Sequence, residues 1–188
     1  MENLTLGAFL LVLFFSSHLL KANKLEICKP SGKVKGKKPP PDYCHEDTDD
    51  SICCIIGKYY STYKCSPRVS ATTKAVLNLN SFEKGGDGDS PSKCDKKYHS
   101  DDTPVVALST GWYSGGRRCL NNITISANGR SVNAMVVDEC DSAMGCDGAH
   151  DYLPPCDNNV LVASKAVWKA LGVPLEDWGE LDVAWKDV

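Results

Sequence analysis

Ten cysteines, none before position 28, constrain this chain more than any other feature. They are Cys28, Cys44, Cys53, Cys54, Cys65, Cys94, Cys119, Cys140, Cys146 and Cys156. An even set of this size implies either a framework of up to five disulfides or metal ligation. No C-x-x-C pair occurs, and beyond the first 22 residues only His45, His99 and His150 are left to join a metal site. Structural zinc sites usually carry paired ligand spacings. The disulfide framework is therefore preferred, and neither a metal nor a cofactor is expected. Which cysteine pairs with which does not follow from spacing.

Disulfides need an oxidising compartment, and the N-terminus agrees. Gly7–Phe15 (GAFLLVLFF) is almost wholly apolar, apolar character continues to Leu20, and charge begins at Lys21. The run is too short to span a bilayer and sits where a signal-peptide core belongs. Residues 1–22 are read as a signal peptide cut near Ala22, which makes the mature chain soluble and exported. Its net charge of −3 gives no general attraction to nucleic acid or to an anionic membrane. Asn122-Ile-Thr124 is an N-glycosylation sequon usable in an exported protein.

Two zones follow. Residues 23–68 hold five cysteines and little apolar periodicity, so this segment buries little core and depends on its disulfides. Its charge is polarised. Lys29, Lys33, Lys35, Lys37 and Lys38 come first, then Pro39-Pro40-Pro41, then Asp42, Glu46, Asp47, Asp49 and Asp50. Such a segment is either a solvated, self-neutralising loop or a recognition surface for a charged partner.

Residues 69–188 are patterned as strands. Ala75–Leu79 and Val105–Leu108 are strand-like, and Leu181, Val183 and Trp185 alternate in a closing strand. Ile123, Ile125 and Ala127 alternate up to Asn128-Gly129, and Val132, Ala134 and Val136 alternate away from it, which is a strong hairpin signal. Ser164 is placed to cap a short helix over Lys165–Leu171, with Gly172 and Pro174 stopping it. Many short strands, one short helix and no βαβ rhythm point to a small closed β-barrel.

The acids of MVVDECDSAMGCDG (Met135–Gly148) pose the functional question. Asp138, Glu139 and Asp141 are candidates for acid/base chemistry, for a binding groove, or for tying down a turn by accepting backbone N–H bonds. Trp112 and Tyr113, in a glycine-rich loop after a strand, either stack on a sugar or protein partner or belong to the core. Trp168 and Trp185 are read as core.

Long ordered blocks identify a relationship. VALSTGWYSGGRRC (Val106–Cys119) and VVDECDS (Val136–Ser142) resemble the kiwellin, or ripening-related protein, family of plants. So do CKPSG (Cys28–Gly32), YSTYKCSP (Tyr60–Pro67), GGDGDSPSKCDKKYHS (Gly85–Ser100), PPCDNNV (Pro154–Val160) and SKAVWKALGV (Ser164–Val173). The resemblance implies a mainly β protein: a six-stranded double-psi β-barrel with one short helix and a disulfide-rich N-terminal extension. It implies kinship to barwin, to expansin first domains and to certain glycosidases and lytic transglycosylases. Kiwellin's additional N-terminal module, the source of a pore-forming peptide, is not expected here because the chain starts at the CKPSG block. The second, carbohydrate-binding domain of expansins is not expected either.

The resemblance also bears on chemistry. It places Asp138 at the barrel superfamily's shared aspartate. The His-Phe-Asp motif of expansins and related endoglucanases then falls on Val160-Leu161-Val162, all apolar. Glycoside hydrolysis usually needs two facing carboxylates, so no catalytic residue is expected, with Asp138 the candidate if any activity exists. Asp101 and Asp102 could approach from another loop, which the sequence does not show. Expansins show a Cys-x-x-Cys pattern where Cys119 to Asn122 stands here. The expectation is a secreted apoplastic defence protein that binds pathogen-secreted proteins, such as a fungal chorismate mutase, through Lys33, Lys35, Lys37, Lys38, Trp112, Tyr113, Asp138 and Asp141. The alternative is a barrel that binds or cleaves wall polysaccharide.

Overall fold

Alternation of apolar and polar residues closes most of this chain into a cylinder. The computed structural model describes residues 27–40, 53–86 and 90–188. The expected signal peptide, Cys44 and the acids of positions 42–50 lie outside the described residues. Within them run β1 (Gly32–Lys35), β2 (Tyr59–Thr62), β3 (Thr73–Leu79), β4 (Val105–Ser109), β5 (Asn122–Ala127), β6 (Arg130–Cys140), β7 (Val160–Ala163) and β8 (Glu180–Asp187). Two short helices, α1 (Thr110–Tyr113) and α2 (Lys165–Ala170), interrupt the strands.

Six strands close a barrel in the order β3-β7-β4-β6-β5-β8. The β3–β7 and β4–β6 pairs are parallel and the other four antiparallel. This is the mainly β, six-stranded double-psi architecture expected from the resemblance. Closure leaves the barrel without a free edge. Inward-facing Leu77, Val106, Leu108, Ile125, Val136, Leu161 and Trp185 fill it. Each fully buried side chain of this size contributes about 1.5–3 kcal/mol. Outward-facing Val105, Ala107 and Val137 carry a second apolar layer under Phe82, with Met135 and Val162 packed against it.

Local signals act as expected, with one exception. The β5–β6 hairpin turns at Asn128 (φ 52°) and Gly129 (φ 69°), both in the left-handed region that this pair tolerates. Ser164 does precede α2, but its hydroxyl does not cap it. It donates to the Thr103 carbonyl at 2.7 Å and accepts from Val105 N–H at 3.2 Å. The serine ties the helix start to β4, and the helix needs no side-chain cap there because Ala166 N–H donates to the Asp101 carbonyl at 2.9 Å.

β1 and β2 form a separate two-stranded antiparallel sheet. Little core holds it, and covalent bonds take over. Cys28–Cys65 closes the segment on itself, and Cys54–Cys146 ties it to the loop after β6. Tyr63 N–H donates to the Ser142 carbonyl at 2.7 Å, and Cys54 N–H to the Tyr152 carbonyl at 2.9 Å. Cys94–Cys119 and Cys140–Cys156 pin the barrel loops. Cys53 is disulfide-bonded too.

Candidate functional site

Two surfaces qualify, and they differ in chemistry. The first surrounds Asp138 near the end of β6. A register shift between Val106 and Ala107 sets Asp138 opposite Ala107, on the barrel's outer face. Its Oδ1 accepts N–H bonds from Glu139 at 2.7 Å and Lys93 at 3.2 Å. Burial raises the Asp138 carboxyl above its ordinary range, and those two backbone donors pull against it. Glu139 takes the Lys93 ammonium at 2.5 Å, a bond that raises the lysine's own value. Asp138 and Glu139 thus clasp one residue, by its backbone and by its side chain.

Asp141 is a turn builder. Its Oδ1 accepts from Ala143 N–H at 2.7 Å and Met144 N–H at 2.9 Å, which folds the loop between Cys140 and Cys146. His150 Nε2 stands 3.5 Å from Asp141 Oδ2, and its Nδ1 lies 2.7 Å from Asp147 Oδ1. The His150 contact holds the Asp147 carboxyl below its usual range.

The opposite wall of any groove at Asp138 is apolar. Ala107 also pairs with Val162 of β7, and Val162 pairs with Asn78 of β3. Asn78, Val162, Ala107 and Asp138 therefore form one row across the outer face. With strands about 4.8 Å apart, Val162 sits about 10 Å from Asp138. Asp101 and Asp102 do not supply the missing carboxylate. They meet Lys165 at 2.7 Å and Lys169 at 3.0 Å, at helix α2.

Both aromatic candidates are core. Trp112 is 1% exposed, donates Nε1–H to the Pro67 carbonyl at 2.7 Å and packs edge-on against Trp185, with centroids 5.0 Å apart. Tyr113 is buried beside the Cys94–Cys119 disulfide, and burial raises its phenol. The expectation that these rings touch a partner is corrected. A glycine-rich loop reads as exposed, but here it folds as α1 over the barrel end, and the indole is the plug. Asn122 is exposed at the start of β5.

The second surface is the β1–β2 sheet and its flanks. Lys33 and Lys35 lie exposed on β1, and Lys37 and Lys38 are exposed just beyond it. The folded chain adds residues that the sequence reading missed. Ile55 (61% exposed), Ile56 (56%) and Tyr59 (61%) stand free on the adjoining turn and strand. Lys35 reaches over the Tyr59 ring at 5.7 Å, and Lys58 over Tyr60 at 5.0 Å. Residues 27–40 and 53–68 carry seven lysines and one arginine but no acid. None of these lysines makes an ion pair among the described residues. A signal was available: the absence of any acid between Cys53 and Arg68. Among the described residues no group of three His, Cys, Asp or Glu side chains could hold a metal ion, and no helix is long and apolar enough to cross a membrane.

Comparisons with known proteins show the family. The family model described as Kiwellin-1 matches residues 13–188. Ripening-related protein grip22 of Vitis vinifera is 55% identical over 148 residues, which is 78% of this chain and 66% of that protein. The chain thus spans just under two thirds of the grape protein's length. Kiwellin of Actinidia chinensis var. chinensis is 53% identical over 152 residues, 80% of this chain and 70% of that one. Among solved structures, a Clavibacter michiganensis expansin variant in complex with cellohexaose aligns with a TM-score of 0.46. It is 22% identical and covers 62% of this chain and 50% of its own.

Proposed function

The chain belongs to the kiwellin family, and on that premise we propose that it is a secreted plant defence protein that binds and inhibits proteins released by pathogens. Its partner is of the kind of a secreted fungal chorismate mutase, and its place of work is the apoplast. Residues 1–22 direct export, residues 23–68 form the recognition segment, and residues 69–188 form the barrel that presents it.

One observation carries this reading: a disulfide-braced sheet displays unpaired lysines beside exposed Ile55, Ile56 and Tyr59. Interfaces combine apolar and aromatic anchors with charge that steers encounter. A surface held by Cys28–Cys65 and Cys54–Cys146 loses little freedom on docking, so more of the contact energy appears as affinity. Inhibition follows by occlusion, since a rigid face seated over a partner's active site excludes its substrate. The site at Asp138 does not favour hydrolysis, because its row neighbours are Ala107 and Val162.

The second reading, a barrel that binds or cleaves wall polysaccharide, draws on one feature. Asp138 is a partly buried carboxyl with a raised affinity for its proton, as a single-aspartate lytic site would need.

Affinity capture separates the two. The oxidised secreted protein is immobilised and exposed to apoplastic fluid from infected and healthy tissue, and bound proteins are identified by mass spectrometry. The expected result is a saturable pathogen enzyme, present only in the infected eluate and inhibited on rebinding. Retention on insoluble cellulose or chitin, with sugar release abolished by Asp138→Asn, overturns it in favour of the second reading.

A further inference from the structure

We infer that the outer edge of β1, unpaired among the described residues, is a docking strand, which takes an extended acidic segment of a partner protein as a third strand of the β1–β2 sheet. This rests on the lysine surface proposed above and specifies its partner chemistry.

The register fixes which backbone groups are free. Gly36 N–H donates to the Lys58 carbonyl at 2.8 Å, and Gly57 N–H donates to the Gly36 carbonyl at 2.9 Å, so Gly36 turns both polar groups toward β2. Antiparallel alternation gives Val34, paired with Tyr60, the same orientation. Lys33 and Lys35 then turn their N–H and C=O groups outward, and no bond joins either to another loop or turn among the described residues. These two residues offer the donors and acceptors that an added strand uses. Gly32 and Gly36 flank them, and Gly36 is buried where a side chain would meet the Ile55 carbonyl.

Side-chain chemistry then selects the occupant. Lys33 and Lys35 project from one face, about 7 Å apart, and Tyr59 and Ser61 share that face in register. Lysines on an edge repel a second copy of the same edge. The same charges attract a strand with acids at alternate positions, whose own period is also about 7 Å. Residues 27–40 and 53–68 hold no acid, Asp147 of the loop after β6 acts on Lys37, and Lys33 and Lys35 make no ion pair among the described residues. Repulsion of self and attraction of an acidic strand together give specificity.

The test uses an acetylated, amidated heptapeptide of alternating Glu and Thr, titrated into the oxidised secreted protein labelled with 15N. The amides of Lys33 and Lys35 should shift most, and affinity should fall with added salt. Lys33→Gln with Lys35→Gln should weaken binding and flatten its salt dependence. Lys35→Pro is the decisive variant. It removes an outward N–H that the β1–β2 ladder does not use, so the fold, checked by circular dichroism and intact disulfides, should persist. It should weaken peptide binding roughly tenfold, and clearly more than Lys35→Gln alone. Peptide affinity unchanged by Lys35→Pro overturns the inference. So does stronger binding of polygalacturonate at the same lysines with no response to the proline. If Lys35→Pro leaves a captured pathogen protein bound while lysine-to-glutamine changes release it, the strand inference falls and the defence reading stands. If neither change releases it, both lose the lysine surface.

Discussion

Asp138 and Val162 face the same side of the barrel, two strands apart, with Ala107 in register between them. Glycosidases usually set two carboxylates facing each other across the scissile bond. Here one position is filled by an acid and the other by an isopropyl group packed against Phe82, Val105, Ala107 and Val137. The next acid along that row is Glu180, which pairs with Asn78 on the far side of Val162. That is too remote to act with Asp138.

The Asp138 carboxyl has a raised folded-state value, so the fold holds its proton more tightly than the unfolded chain does. Its contribution to stability is complete below the ordinary aspartate value and is lost as pH rises through the folded value. Asp138→Asn keeps an oxygen for the Lys93 and Glu139 N–H groups and carries no charge. Its melting temperature at pH 7 should equal or exceed that of the wild type, with a flatter profile above pH 4. Asp138→Ala strands both donors and should cost about 1–3 kcal/mol. Denaturant titrations across pH check both, and a less stable Asn variant contradicts this.

Arg118 joins α1 to the barrel's last strand. It forks onto Asp187 at 2.7 and 3.0 Å, donates to the Trp112 carbonyl at 2.7 Å and lies 5.6 Å over the Trp185 ring. Arg118→Ala should cost about 1–2 kcal/mol, mostly from lost packing and the unpaired carbonyl. Asp187→Asn should cost under about 1 kcal/mol, because that carboxylate is half exposed. The arginine's hydrogen bond lowers the Asp187 value, so this small term is present above the ordinary aspartate value and lost as pH falls through the folded one. Thermal unfolding of both variants checks the order.

Much of this was legible in the sequence, and the failures have physical causes. Alternation locates β5, β6 and β8 because one face of each carries the core residues, the apolar run Val105–Leu108 marks β4 because both its faces are buried, and Asn128-Gly129 sets a turn through its own backbone preference. Trp112 and Tyr113 are open to either reading in the sequence, because neighbouring glycines suggest an exposed loop. Only the closed barrel shows that its end needs a plug. The Ser164 hydroxyl was assigned to its helix, yet β4 claims it, a contact made across 59 residues that no local pattern encodes. Ile55, Ile56 and Tyr59 were missed because apolar residues ordinarily predict burial, and the small sheet has no core to receive them.

Cys54–Cys146 joins partners 92 residues apart and anchors the basic sheet to the barrel. Replacing both with Ser should cost roughly 2–5 kcal/mol. It should also loosen β1 and β2 while the barrel amides keep their protection. Hydrogen exchange resolves the two regions, and uniform loss of protection would contradict the division.

Asn122 opens β5 on the outer face, in register with Met135 and exposed. The protein secreted from plant cells should lose mass on enzymatic removal of N-glycans, and Asn122→Gln should abolish that change while altering stability by under about 0.5 kcal/mol. A secreted mass equal to that of the bare polypeptide would contradict it.

Inhibition by the lysine-bearing sheet is measured by titrating the oxidised protein against a purified fungal secreted chorismate mutase. The quadruple variant Lys33→Gln, Lys35→Gln, Lys37→Gln, Lys38→Gln is run in parallel. The wild type should inhibit saturably and the variant at least roughly tenfold more weakly, about 1.4 kcal/mol of lost affinity. Equal inhibition by both proteins, or none by either together with Asp138-dependent sugar release from wall polysaccharide, would contradict it.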